Sequence, residues 1–199
     1  MANEVKKKAR VVDKWKLKSW YAIKAPEIFD GREMGQLVST EEEQLKDRVV
    51  KTGLGELTGS FSGGAAFTTV FFRVTGVTGK TLSTKFIGHE LSPSYIKTLL
   101  RRRRSIIYCF DDATASDGQV LRIKSVAVTA FKVSEAARKD LRRAVSESVK
   151  ACAKELNINM LAQEVLFGKF AARVFTKVKH ITPLRRLEIR KSELKEIFE

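Results

Sequence analysis

Strand-like alternation of apolar residues dominates between Gly64 and about residue 131, and a helical period near 3.6 replaces it from Ser134 to about residue 179. This switch constrains the fold more than any other feature of the chain. A period-two pattern keeps its apolar set on one face of a strand, and a 3.6 pattern keeps it on one face of a helix; neither serves the other element. Val70, Phe72 and Val74 share one face of a strand that begins at Thr68. Gly76-Val77-Thr78-Gly79 reads as a hairpin turn, and Leu82, Thr84 and Phe86 alternate on the return strand, which ends at Gly88. Before this hairpin, Leu37-Val38 and Val49-Val50 mark shorter strands, and the five glycines between 53 and 64 mark a loose region. Ser92-Pro93 starts a helix, with serine at the cap and proline at the first helical position, running to about Arg102. Strands follow at 106–110 and 120–131, the second turning apolar on both faces beyond Lys124, as a strand in a closed sheet or a two-sided core does. Helices are expected over 134–156, 158–167 and 168–179, then a short final strand through Leu184, Leu187 and Ile189. Strands first and helices second give an α+β layout with a small barrel or sandwich.

Charge divides the chain differently. The net charge is +15, yet residues 1–24 carry +6, residues 95–104 carry +5 and residues 120–186 carry +10, while 25–94 carry −2 and 105–119 carry −3. Cations concentrated this way suit a polyphosphate partner, which repays them through counterion release. Three groups stand out. Lys6, Lys7, Lys8, Arg10, Lys14, Lys16 and Lys18 form a basic N-terminal arm in which Trp15 offers a ring that can stack on a base; Trp20, in more apolar surroundings, is expected to anchor the arm to the core. Arg101, Arg102, Arg103 and Arg104 exceed what a helix C-terminus asks of its cations. On the helix over 134–156, Ala137, Leu141, Ala144, Val145, Val149, Cys152 and Leu156 make a core-facing stripe. Lys139, Arg143, Lys150 and Lys154 fall within about 60° of one another on its far side, a single-sign ridge that can follow a phosphate backbone. Arg185 and Arg186 extend the basic surface.

Other chemistries find little support. Gly79-Lys80-Thr81 resembles the end of a phosphate loop, but the required glycine five positions earlier is Val74, and a strand follows instead of a helix. His89 and His180 have no ligand-like spacing to each other or to Cys109 and Cys152, so no metal or cofactor is expected, and both histidines read as surface or satisfied residues. The two cysteines sit among apolar neighbours, as small buried hydrophobes in a reducing compartment. The acids at 41–43 and at Asp111-Asp112 read as solvated loop carboxylates. No apolar run approaches the length of a membrane span, and the first residues do not form a signal peptide.

Four segments, taken together, resemble a known family. Lys18-Ser19-Trp20-Tyr21-Ala22-Ile23-Lys24-Ala25-Pro26-Glu27-Ile28-Phe29, followed by Arg32 and Gly35, is the most specific. Phe86-Ile87-Gly88-His89-Glu90-Leu91-Ser92, then Thr114-Ala115-Ser116-Asp117-Gly118-Gln119-Val120-Leu121-Arg122, then Phe131 at the opening of the helical half, follow in order. Over about residues 15–199 the chain resembles the archaeal and eukaryotic small-subunit ribosomal protein S-three-A family, also called eukaryotic-type S-one. The resemblance implies a structural, non-catalytic protein of the cytoplasmic small ribosomal subunit. It implies a place on the platform near the messenger exit, in contact with small-subunit ribosomal RNA and neighbouring ribosomal proteins, with messenger RNA within reach and no membrane. It also implies a β-barrel-like core with helical additions, beside the division read from the residues themselves: 1–18 as the arm, 19–133 as the core, and 134–199 as a helical C-terminal region packed on it. The short N-terminal basic stretch and modest length fit an archaeal member. The alternatives are a free RNA-processing enzyme or RNA-binding translation factor, which would need Asp111, Asp112 or His89 in a catalytic role, and a chromatin protein.

Overall fold

The computed structural model describes Asp13, residues 15–60 and residues 63–196. Eight strands form one sheet: β1 (Ser19–Lys24), β2 (Glu33–Ser39), β3 (Val49–Gly53), β4 (Thr68–Thr78), β5 (Thr81–Leu91), β6 (Ile106–Thr114), β7 (Val120–Thr129) and β8 (Leu184–Leu194). The helices are α1 (Leu54–Thr58), α2 (Pro93–Leu99), α3 (Glu135–Lys154), α4 (Ile158–Leu166) and α5 (Lys169–Val178). Among the described residues, no helix is long and apolar enough to cross a membrane.

The barrel-like closure expected of the sheet is not what forms. Along one edge β5 pairs with β4 throughout, and β4 in turn with β3. Its other edge is shared: Thr81–Ser83 pair in parallel with β1, and Gly88–Glu90 pair antiparallel with β8. The sheet therefore forks at β5 into a β1–β2 branch and a β8–β7–β6 branch, and among the described residues no pairing joins the outer strands into a ring. The fork depends on Gly88. A Cβ there would lie 2.1 Å from the Ser192 carbonyl oxygen, so only glycine lets β8 come this close. The last strand, expected to be short, runs for eleven residues and lies inside the sheet between β5 and β7.

The hairpin stands where the alternation puts it, although its turn is Gly79-Lys80, with Thr78 opposite Thr81 and Gly79 at φ +60. The stretch expected to be loose contains α1 and a 3-10 turn at Gly63–Phe67. Helix α2 stops at Leu99, before the arginines: Leu100 is extended, and Arg103 takes a left-handed φ of 61°.

The largest core lies between the β6–β8 branch and α3–α5. Ile107, Cys109, Leu121 and Ile123 meet Leu141, Val145, Val149 and Cys152 of α3, together with Phe170 and Val174 of α5. The α3 stripe is thus the one the 3.6 period marks, and Ser134 caps its start by accepting from the Ala137 N–H. Both cysteines are buried free thiols. The other branch has smaller cores, around Phe29, Phe72 and Phe86 and around Tyr21, Ile23 and Leu82. Tyr21 and Ile23 face inward on β1, so Trp20, one residue out of phase, is 60% exposed and does not anchor the core.

Candidate nucleic-acid interface

Strand β6 begins, β7 ends and β8 begins at one end of their branch. Thr129 N–H donates to Ser105 O and Ala130 N–H to Pro183 O, tying the connections there together. A cleft of about 210 Å³ opens at this end, lined by Thr98, Leu99, Arg101, Arg104, Val128, Arg185 and Arg186. Two basic segments separated by eighty residues of chain thus meet in one concavity. A β-bulge explains how neighbours in sequence both line it. Val128 pairs with Arg186 and Thr129 with Leu184, so Arg185 is an extra residue opposite the β7 ladder. Such a residue breaks the alternation that would otherwise send Arg185 and Arg186 to opposite faces.

The electrostatics of the cleft are one-sided. Arg101, Arg102, Arg103 and Arg104 form no ion pair among the described residues, nor does Arg185. Arg186 is the exception: its Nε donates to Glu188 Oε1 at 2.8 Å, and its guanidinium lies 5.8 Å from the centre of the Tyr95 ring. The Tyr95 hydroxyl donates to Glu188 Oε1 at 3.3 Å, and burial first, then the Glu188 charge, push its phenol up. Arg102 and Arg103 are exposed on the turn beside the cleft rather than within it. Unpaired guanidiniums at this density repel one another until anions neutralise them, and their fork geometry matches phosphate oxygens.

The ridge on α3 begins beside this cleft. Arg138 Nη2 donates to Ser105 Oγ, 3.2 Å away, which docks the first turns of α3 next to Arg104. Lys139, Arg143, Lys150 and Lys154 are all exposed and form no ion pair among the described residues. They span about 22 Å along the helix axis. Glu155, by contrast, is taken by Arg173 at 2.7 Å. The cleft at the sheet end and the exposed ridge on the outside of α3 together make up a cationic track.

The described arm residues do not line the cleft. Lys6, Lys7, Lys8, Arg10 and Lys14 lie outside the described residues. Lys16 is exposed, and Trp15, 67% exposed, carries the Lys18 ammonium 3.8 Å from its ring centre. This turn leads into β1, on the other branch of the sheet, and none of its residues lines the cleft.

Two exposed residues near the cleft carry no signal of their own in the sequence. Phe131, 69% exposed, and Lys132 follow β7 where the Ala130–Pro183 hydrogen bond closes this end of the branch, and neither lines the cleft. The groups considered for catalysis are committed elsewhere. Hydrogen bonds from Arg122 and then Lys195 hold the Asp112 carboxyl well below its usual range. His89 is a buried, satisfied residue: Ser192 Oγ lies 2.6 Å from Nδ1 and Ile189 O lies 3.2 Å from Nε2, and burial lowers its pKa to about 4. Among the described residues, no group of histidine, cysteine and acidic side chains is arranged to hold a metal.

Comparison with known proteins gives one consistent answer. The chain is 37% identical over 187 residues to small ribosomal subunit protein eS1 of Sulfurisphaera tokodaii, covering 94% of this chain and 96% of that one. It is 36% identical over 189 residues to the protein of the same name from Saccharolobus solfataricus, covering 95% and 90%. Residues 6–197 match the family model for ribosomal S3Ae proteins. With both relatives archaeal and the match spanning nearly the whole chain, the protein belongs to the ribosomal S3Ae family.

Proposed function

We propose that this chain is a non-catalytic constituent of the small ribosomal subunit in the cytoplasm. It holds ribosomal RNA along the arginine cleft and the α3 ridge, and sits on the platform near the messenger exit beside other ribosomal proteins. The observation that carries the reading is the cleft, where Arg101 and Arg104 meet Arg185 and Arg186 with Glu188 as the only acid bonded to any of them among the described residues. A phosphate backbone supplies the missing anions, and a track of single sign follows it without reading base sequence. The relatives' names place those proteins in the small subunit. The N-terminal arm and Trp15 belong to the same proposal as a second point of attachment. Messenger RNA comes within reach only if the platform position holds.

Co-sedimentation decides between this and a free RNA-processing enzyme or translation factor. The protein should stay with small subunits through a high-salt wash. Release from intact particles by modest salt would count against it, as would turnover of RNA abolished by Asp111→Asn or Asp112→Asn.

A further inference from the structure

Strand β6 ends its branch of the sheet, and its outer edge pairs with nothing among the described residues. Which of its backbone groups face outward follows from the register. Residues 106–114 oppose 128–120 one to one, without a bulge. At the two ends Thr129 N–H donates to Ser105 O, and Ala115 N–H donates to Gln119 O. Hydrogen-bonded pairs alternate in an antiparallel ladder, so the odd-numbered residues 105 to 115 bond to β7. Ile106, Tyr108, Phe110, Asp112 and Thr114 therefore turn their N–H and C=O groups to the free edge. This edge is about 30 Å long. It has neither the proline nor the bulge with which exposed edges are commonly blunted. Beside it stand Tyr108, 38% exposed, and Phe110, 68% exposed.

A second observation comes from the helix side of the same strand. A cleft of about 480 Å³ separates the β6 edge from α3, lined by Ile106, Tyr108, Cys109, Phe110, Asp111, Arg142 and Ser146. The Asp111 side chain points into it, and the residue is only 6% exposed. Its Oδ1 accepts from Ser146 Oγ. Its Oδ2 is buried and has no hydrogen-bond partner. A buried carboxylate oxygen without a donor is costly, and the cost is removed when a donor arrives with a binding partner.

We infer that β6 receives an extended segment of a neighbouring ribosomal protein, which adds as a ninth strand and places a basic side chain on Asp111. The inference rests on the small-subunit reading above. The outward backbone groups supply the ladder, the usual source of affinity in strand addition. The alternating side chains of the incoming strand pack beside Tyr108 and Phe110. Charge chooses the occupant: Asp111 is the one acid lining the cleft, and Arg142, which also lines it, makes no ion pair with it among the described residues, while Asp112 on the outer face is already held by Arg122 and Lys195. A phosphate backbone would meet the Asp111 carboxylate head-on, whereas a lysine or arginine satisfies it.

The test uses the full chain carrying a photoreactive benzoylphenylalanine at position 110, incorporated into small subunits. The exposure of Phe110 makes the replacement tolerable to the fold. Co-sedimentation is scored first: a chain that does not join the particle sinks the small-subunit reading and this inference with it. In particles that contain the chain, irradiation should link position 110 to a segment of another ribosomal protein. A link to ribosomal RNA, to a second copy of this chain, or to nothing overturns strand addition and leaves the small-subunit reading standing. Amide exchange in native particles gives the same answer without substitution. The Tyr108, Phe110 and Asp112 amides should exchange at least tenfold more slowly in the particle than in the free chain. Equal rates, or the same slowing on protein-free ribosomal RNA, would contradict the inference.

Discussion

Changing Arg101, Arg104, Arg185 and Arg186 together to glutamine removes four charges from one cleft and almost nothing from the fold. The ion pair removed is Arg186–Glu188, whose arginine side chain is 53% exposed. A pair so exposed contributes at most about 1 kcal/mol, so the thermal midpoint should barely move. RNA affinity should respond strongly. Each phosphate neutralised contributes roughly 0.7–0.9 to the slope of log K against log salt, so four such phosphates contribute about 3–3.6. Between 50 and 200 mM salt that slope amounts to roughly 50- to 150-fold in affinity. The native chain should lose that much more affinity to small-subunit ribosomal RNA over this range than the variant does. Fluorescence anisotropy titrations at four or five salt concentrations would measure both slopes. The control is a chain with Lys24, Lys46, Arg48 and Lys80 changed to glutamine, which has the same net charge and an intact cleft; all four are exposed and none lines the cleft. If the control flattens the slope as much as the cleft variant, net charge explains the binding and the argument from the cleft is wrong.

Other outcomes follow from single sites. Reversing Lys139, Arg143, Lys150 and Lys154 to glutamate should weaken RNA binding and lower the salt slope by about one for each phosphate left without its cation; an unchanged slope would show that the ridge faces protein or solvent. In Gly88→Ala the new Cβ would sit 2.1 Å from the Ser192 carbonyl oxygen, against the roughly 3.5 Å at which non-bonded atoms rest. The β5–β8 junction must then part, at about 3 kcal/mol, and the melting temperature should drop by roughly 6–12 °C; calorimetry showing no change would remove the explanation offered for the fork. His89 should make folding sensitive to acid. Burial holds the folded imidazole at about 4, against an ordinary value of 6.5, so the unfolded chain takes up the proton first. Its contribution is complete above pH 6.5 and is lost as pH falls from 6.5 towards 4, by roughly 3 kcal/mol. Chemical denaturation at stepped pH should show that loss in the native chain and much less of it in His89→Gln. Burial pushes the Cys109 thiol up to about 11, so at pH 8 a maleimide should label it only under unfolding conditions.

The helical half was legible in the sequence because its signal is long. Twenty residues of α3 repeat the same stripe, and Leu141, Val145, Val149 and Cys152 are buried where the period puts them. The opposite ridge was legible for the same reason. Long-range pairing was not. The position of β8 between β5 and β7 depends on pairings between residues from 55 to 105 apart in the chain, and local alternation is the same in an open sheet and a closed one. Local composition misled at Trp20: its apolar neighbours suggested an anchor, but alternation with Tyr21 and Ile23 turns it outward. At the cleft, both arginine clusters could be read as basic segments, and their meeting could not, since it requires the bulge opposite Thr129 and the turn at Arg103. Asp111 shows the same limit. Beside Asp112 it looks like a solvated acid, yet strand alternation buries it against Ser146 while Asp112 stays on the outer face with Arg122.

Arginine-specific labelling with phenylglyoxal, read by mass spectrometry, tests the central claim most directly. Free protein and salt-washed small subunits would be modified in parallel. Arg101, Arg102, Arg103, Arg104, Arg185 and Arg186 should react readily in the free chain and be protected in the particle, with protection lost after ribonuclease digestion. If these arginines react equally in both, or stay protected once the RNA is digested, the track does not bind ribosomal RNA.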